Sequence, residues 1–178
     1  TLELSDGTKI LDFTSGIGIL ALGHNHKRII DVERKFQDLN IVDTQKFGPN
    51  KLQAALAYNL AQLLPEDLEV TFFAVSGAES VEAAIKLSTM AKGEDGKYFI
   101  SANEGYHGKT LGALSITDTE NFSQGFLLGL PKENTIKIPY NDIQSYKKTI
   151  DKLSKEKIIA IIVEPLQGQI VEPAKEKY

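Results

Sequence analysis

Thr71-Phe72-Phe73-Ala74-Val75-Ser76-Gly77-Ala78-Glu79-Ser80-Val81-Glu82-Ala83-Ala84-Ile85-Lys86-Leu87 is the stretch from which the fold is read. An apolar run from Glu69 to Val75 predicts a short strand, Ser76-Gly77 a turn, and Ser80 to Met90 an amphipathic helix. Ser76 and Glu79 have the spacing of a capping box, with Ser76 as the N-cap and Glu79 at the third helical position. A helix start of this kind carries unpaired N–H groups and the positive end of the helix dipole, so it is also a natural place for a phosphate. Gly77 would let an anion approach the backbone closely. Taken alone, the junction is more simply read as an ordinary capped helix.

Two further junctions have the same form. Ile100-Ser101-Ala102-Asn103-Glu104-Gly105-Tyr106-His107-Gly108-Lys109-Thr110 runs from a strand end through glycines into a helix predicted over Thr110 to Leu114. Tyr106 could lay its ring on a flat aromatic ligand or simply pack on the sheet edge, and His107 reads first as a structurally satisfied histidine. Ile158-Ile159-Ala160-Ile161-Ile162-Val163-Glu164-Pro165 places a carboxylate directly after continuous aliphatics. Pro165 holds Glu164 extended and so fixes its side-chain direction, though a solvated loop carboxylate is an equal reading in isolation.

Working outward, Asp6-Gly7 between short alternating runs predicts a hairpin over Leu2 to Phe13. Helices are expected over Lys27 to Leu39, over Lys51 to Leu64 before Pro65, and over Asn141 to Leu153. Strands are expected over Lys97 to Ser101, Thr135 to Ile138 and Ile158 to Val163. Strands that are apolar throughout and alternate with helices indicate a mostly parallel sheet covered on both faces, an α/β fold. In such a sheet ligands sit at the carboxyl ends of the strands, where all three junctions lie.

The composition narrows the function. A net charge of −4 leaves no basic stripe for nucleic acid, and the lysines between Lys147 and Lys157 are interrupted by Asp151 and Glu156, as on a solvated helix face. The absence of cysteine removes disulfides, thiolate metal sites and a thiol nucleophile. No apolar run reaches the length of a membrane span, and no metal site is expected. The chain opens on Thr1, and its sheet stops on a strand that would need a crossover partner, so both ends read as cut.

The order and spacing of these motifs resemble the class-III (ω-amino acid) aminotransferases, pyridoxal-phosphate enzymes of fold type I, from Leu4 to Tyr178. Asp6-Gly7 with Leu11-Asp12-Phe13 is similar to the family's opening hairpin, and Leu22-Gly23-His24-Asn25-His26 to its Leu-Gly-His-x-His stretch. Ser76-Gly77-Ala78-Glu79 is similar to its phosphate-binding turn, Tyr106-His107-Gly108 to its Tyr/Phe-His-Gly, and Val163-Glu164-Pro165-Leu166-Gln167-Gly168 to its Val-Glu-Pro-x-Gln-Gly. The resemblance implies that Ser76, Gly77 and Ala78 hold the cofactor phosphate, with Tyr106 stacking on the ring. It implies that His107 lines the pocket, that Glu164 fixes the cofactor's surroundings, and that Ser15, Gly16, Ile17 and Gln169 lie on the substrate side.

It further implies a chain divided into a segment over 1–45, part of a small domain and the substrate entrance, and the first part of the large cofactor-binding domain over 46–178. The activity implied is transfer of an amino group from an amine or amino acid to a keto acid, in a cytoplasmic homodimer. The family's Schiff-base lysine and the aspartate that pairs with the pyridine nitrogen would fall beyond Tyr178. No catalytic residue is therefore expected in this chain, and the chain alone is expected to be inactive. A racemase or aminomutase of the same fold, or a non-catalytic interaction module that kept the sheet, remains as an alternative. Departures from the pattern are Val75 for the usual Asn, Lys27 for Pro, and Gln167-Gly168-Gln169-Ile170 for a longer acidic stretch.

Overall fold

In the computed structural model, which describes residues 1–40, 48–65, 67–176 and 178, the chain divides into two units, Thr1–Glu69 and Val70–Tyr178. The boundary expected between residues 45 and 46 lies outside the described residues.

The first unit opens with strands β1 (Leu2–Glu3) and β2 (Lys9–Ile10), antiparallel, with Leu2 opposite Ile10. The turn between them is closed by Gly7 N–H to Leu4 O at 3.0 Å and Leu4 N–H to Thr8 O at 2.9 Å. Gly7 sits at φ 83, so the Asp-Gly pair makes a turn followed by a left-handed glycine, the three-residue form of hairpin loop. Two helices follow, α1 (Lys27–Asp38) and α2 (Lys51–Leu63). The side chain of Asn50 caps α2, its oxygen accepting from the N–H groups of Leu52 and Gln53. The sequence places Pro65 directly after the α2 C-cap, Leu64, where the chain leaves helical geometry.

The second unit carries helix α3 (Gly77–Lys92), strand β3 (Tyr98–Ala102), and helices α4 (Leu111–Ile116) and α5 (Glu120–Ser123). Strand β4 (Thr135–Ile138), helix α6 (Ile143–Leu153) and strand β5 (Ile158–Ile162) complete its main part. The three strands form a parallel sheet in the order β4-β3-β5, with Ile100 opposite Ile136 and Ile161. Alternation along β3 sends neighbouring side chains to opposite faces. Phe99 packs with Ile85 of α3 and Ile116 of α4, while Ile100 packs with Ile138 and with Tyr146 of α6. Both faces are therefore covered, as a parallel sheet requires. Each of these fully buried apolar side chains contributes roughly 1.5–3 kcal/mol.

Three expectations are corrected. Residues 69–75 form no strand among the described residues. A strand is made by its ladder partner, and here the segment has none: Val70 and Val75 are 95% and 94% exposed. After β5, where the sequence suggested no further strand, Leu166–Gln167 (β6) and Glu172–Pro173 (β7) pair antiparallel in a two-residue ladder. Helix α3 also starts earlier than Ser80, at Gly77, because the Ser76 side chain accepts from Glu79 N–H and fixes the first turn there.

Candidate functional site

The carboxyl ends of β3 and β5 and the start of α3 bring three of the sequence motifs into one region of the second unit. At the start of α3, Ser76 Oγ accepts from Glu79 N–H at 3.1 Å, and Glu79 Oε2 accepts from Val75 N–H at 2.7 Å. The carboxylate thus reaches one residue past the N-cap rather than to Ser76 itself. Neither cap uses the N–H groups of Gly77 and Ala78, which donate to nothing among the described residues. A Cβ added at Gly77 would meet no atom within 4 Å, so the space beside Gly77 is open. Two free donors at the positive end of a 16-residue helix are suited to a phosphate group.

The Tyr106-His107-Gly108 loop lies against this helix start. Gly108 has φ +125, and a Cβ there would come within 2.6 Å of Ala78 Cβ, so only glycine permits the approach. Tyr106 is 38% exposed, with its ring edge-on to Phe122 at a centroid distance of 6.0 Å, leaving a ring surface for a ligand. The loop is pinned from below. Tyr106 N–H donates to Glu164 Oε2 at 2.9 Å, and His107 N–H donates to Thr117 Oγ1 at 2.9 Å. The proton of Thr117 Oγ1 faces the carbonyls of Gly108 and Ala113, both at 3.0 Å.

Glu164 is therefore not a free loop carboxylate. Its second oxygen accepts from Gly168 N–H at 3.2 Å, and its backbone carbonyl accepts from the Tyr140 hydroxyl at 2.8 Å. The side chain ties the end of β5 to the Tyr106 loop and to the β6–β7 turn. His107 is 8% exposed and its buried Nε2 has no partner among the described residues. Burial pushes its pKa below the ordinary histidine value, and Lys137 adds to this, against the pull of Glu164. The ring is neutral at neutral pH and presents a wall without charge.

Several residues that hold this region were not singled out from the sequence. Asp118 accepts from Glu104 N–H at 2.8 Å, and its own N–H donates to Gly105 O at 2.8 Å, stapling the turn that follows β3. Gln167, fully buried, donates to Asn103 O at 2.8 Å. Glu82 accepts from Thr110 Oγ1 and from the N–H groups of Gly112 and Ala113. Lys137, inside β4, donates to Ser101 Oγ at 3.0 Å, and burial holds its pKa down to about 8 despite Asp118. Gln167 stands in the Val-Glu-Pro-x-Gln-Gly run, but its partner, like those of Asp118, Glu82 and Lys137, is set by tertiary contacts.

The expected substrate-side residues belong to both units. Gln169 lies in the β6–β7 turn, its Oε1 3.4 Å from the donating Thr119 hydroxyl. Ser15, Gly16 and Ile17 belong to the first unit, where with Gly18 they form a run of positive φ (46, 63, 59 and 79) closed by Gly18 N–H to Thr14 O at 2.9 Å. A left-handed turn costs L-residues about 1–2 kcal/mol each, most for a β-branched one such as Ile17. Asp12 over-determines it: Oδ1 accepts from Thr14 N–H, Thr14 Oγ1 and Ser15 N–H, and Oδ2 lies 3.0 Å from His24 Nε2. The Thr14 hydroxyl first, then the Ser15 and Thr14 amides, hold the Asp12 carboxyl far below the usual range. Strained turns of this kind occur where a loop must present a side chain in one orientation.

A family model described as Aminotransferase class-III matches residues 1–176. The chain is 37% identical over 176 residues to the aminotransferase PigE of a Serratia species, covering 94% of this chain and 19% of that protein. It is 37% identical over 173 residues to the putrescine aminotransferase of Pectobacterium atrosepticum, covering 95% of this chain and 36% of the relative. Among solved structures it is similar to the ω-transaminase from Pseudomonas jessenii in complex with PMP. That match has a TM-score of 0.79 and 25% identity, over 96% of this chain and 43% of the other. The chain thus spans well under half the length of these proteins.

Proposed function

The chain belongs to the class-III aminotransferase family, whose fold type I architecture it shares, and we propose that it is the N-terminal portion of an enzyme moving an amino group from an amine or amino acid to a keto acid. Pyridoxal phosphate is the cofactor of this family. The observation that carries the assignment is the pair of undonated N–H groups at Gly77 and Ala78 with Gly108 packed against Ala78 beside them. When bound, the cofactor supplies an electron sink for the carbon that bears the amine.

The residues of this chain bind and orient. Gly77 and Ala78 donate to the phosphate, with Ser76 holding the helix start that presents them. Tyr106 offers its ring face to the cofactor ring, and His107, neutral and buried, closes the pocket beside it. Glu164 keeps the Tyr106 backbone in place from the end of β5. Gln169 and the Ser15-Gly16-Ile17 turn contribute to the substrate side. No residue here is assigned the proton transfer: Lys86 lies along α3, and Lys109 Nζ sits 3.9 Å over the Phe122 ring. The chain alone is accordingly inactive in this reading.

The same proposal makes the enzyme a cytoplasmic homodimer. Large exposed apolar side chains support the assembly, among them Phe13 and Ile19 in the first unit and Leu127 in the second. No helix among the described residues is long and apolar enough to cross a membrane.

The test uses the full-length protein. Pyridoxal phosphate should bind at least about tenfold tighter than pyridoxal, because the phosphate meets preformed donors, and turnover of an amine should require a keto acid. Equal affinity for the two cofactor forms would remove Gly77 and Ala78 from the site. Turnover without any keto acid would indicate a racemase or aminomutase instead.

A further inference from the structure

Glu82 lies on α3 beyond the N-terminal donors, on the face turned to α4. One of its oxygens, Oε1, accepts from Thr110 Oγ1 at 2.6 Å, Gly112 N–H at 2.8 Å and Ala113 N–H at 3.1 Å. The other oxygen is so close to Gly112 that a Cβ there would run into it. Burial works to raise the pKa of this carboxyl, but the Thr110 hydroxyl and the Ala113 and Gly112 amides outweigh it and bring it below the ordinary value. The group is ionised at neutral pH and takes up the free donors of the first α4 turn.

The Tyr106-His107-Gly108 loop runs directly into that turn. Gly108 is in van der Waals contact with Ala78, whose N–H is one of the two open donors. Helix α3 and the loop therefore interlock at two points, backbone against backbone at Gly108 and carboxylate against helix end at Glu82. Only the second is an adjustable contact, because the first is set by the absence of a side chain. We infer that Glu82 is a positioning residue for the cofactor: it contacts no ligand but sets the distance between the phosphate-binding N–H groups of Gly77 and Ala78 and the ring of Tyr106. This rests on the cofactor reading given above.

A single carbonyl oxygen with two lone pairs serves three converging donors poorly, whereas a carboxylate oxygen bears the charge that holds them. Glu82→Gln keeps the size and removes that charge. In full-length protein, at a temperature well below the melting point of every apoprotein compared, E82Q should bind pyridoxal phosphate about tenfold more weakly than wild type. The visible circular-dichroism band of the bound cofactor should change shape, reporting a displaced ring. Thr110→Val, which removes one donor and leaves the charge, should show the same change with a loss of about threefold, and it carries the test if E82Q does not fold. A role in stability alone would lower the apoprotein melting temperature and leave affinity and the dichroism band as in wild type. A loss below about threefold in E82Q with an unchanged band, or in T110V no loss and an unchanged band, overturns the inference. Failure of the wild-type protein to bind pyridoxal phosphate would instead overturn the cofactor reading itself.

Discussion

Lys137 is a charged residue on β4, paired with Ser101 of the central strand β3, and replacing it tests the electrostatics beneath the site. Its ammonium donates to Ser101 Oγ at 3.0 Å, and burial lowers its pKa from the ordinary 10.5 to about 8, with the Asp118 carboxylate opposing. At about 1.4 kcal/mol for each tenfold change in the proton equilibrium, that depression corresponds to about 3 kcal/mol. Because the group keeps some contact with solvent, screening reduces the figure to about 2 kcal/mol. Lys137→Met keeps the length and removes the charge, and it gives up one hydrogen bond worth about 1 kcal/mol. At pH 7 the variant should therefore be more stable than wild type by about 1 kcal/mol. The sign with pH follows from proton binding. Between pH 8 and 10.5 the unfolded lysine holds its proton while the folded one releases it, so wild-type stability rises with pH across that window. The gap to K137M should close within this range, reverse before its upper end, and stay constant above it. Urea unfolding of both proteins at a series of pH values measures the gap directly, and groups common to both cancel. A variant less stable than wild type at pH 7, or a gap that does not move between pH 8 and 10.5, would show that the ammonium is not penalised by burial.

Two further outcomes follow from the same geometry. Gly108→Ala drives a Cβ to within 2.6 Å of Ala78 Cβ at φ +125, so it should destabilise the protein by about 2 kcal/mol or more and weaken pyridoxal phosphate binding; unchanged melting temperature and affinity would mean that the loop does not rest on α3. Tyr106→Ala should weaken cofactor retention while Tyr106→Phe changes little, since the Tyr106 backbone, not its hydroxyl, is what Glu164 holds; equal retention by wild type and Y106A would take the ring out of the site.

The sheet was legible because its signals are local. Continuous aliphatics at Ile158 to Ile162 and the mostly apolar run Tyr98 to Ala102, separated by amphipathic helices, allow little besides parallel strands covered on both faces. Ser76 and Glu79 marked the start of α3 through side chains that act within one turn of themselves. The segment over 69–75 shows the converse. Its composition suits a strand, but a strand needs a neighbour, and periodicity says nothing about whether one is within reach.

The groups that define the site's dimensions were illegible for a related reason. Glu82, Asp118 and Lys137 act across 30, 14 and 36 residues of sequence. Each is an unremarkable polar residue at its own position, and a sequence reading places such residues on a solvated surface by default. The placement of Glu82 depends on the glycine opposite it. Gly112 leaves room for the Glu82 carboxylate. Motif and scaffold thus divide by range. The residues proposed to touch the cofactor lie in short contiguous runs, because a helix start or a strand end presents consecutive backbone groups. The residues that set the distances between those runs must come from elsewhere in the chain, since a run cannot determine its own position relative to another. A substitution at Glu82 or Gly112 should therefore disturb cofactor geometry while leaving every recognisable motif intact.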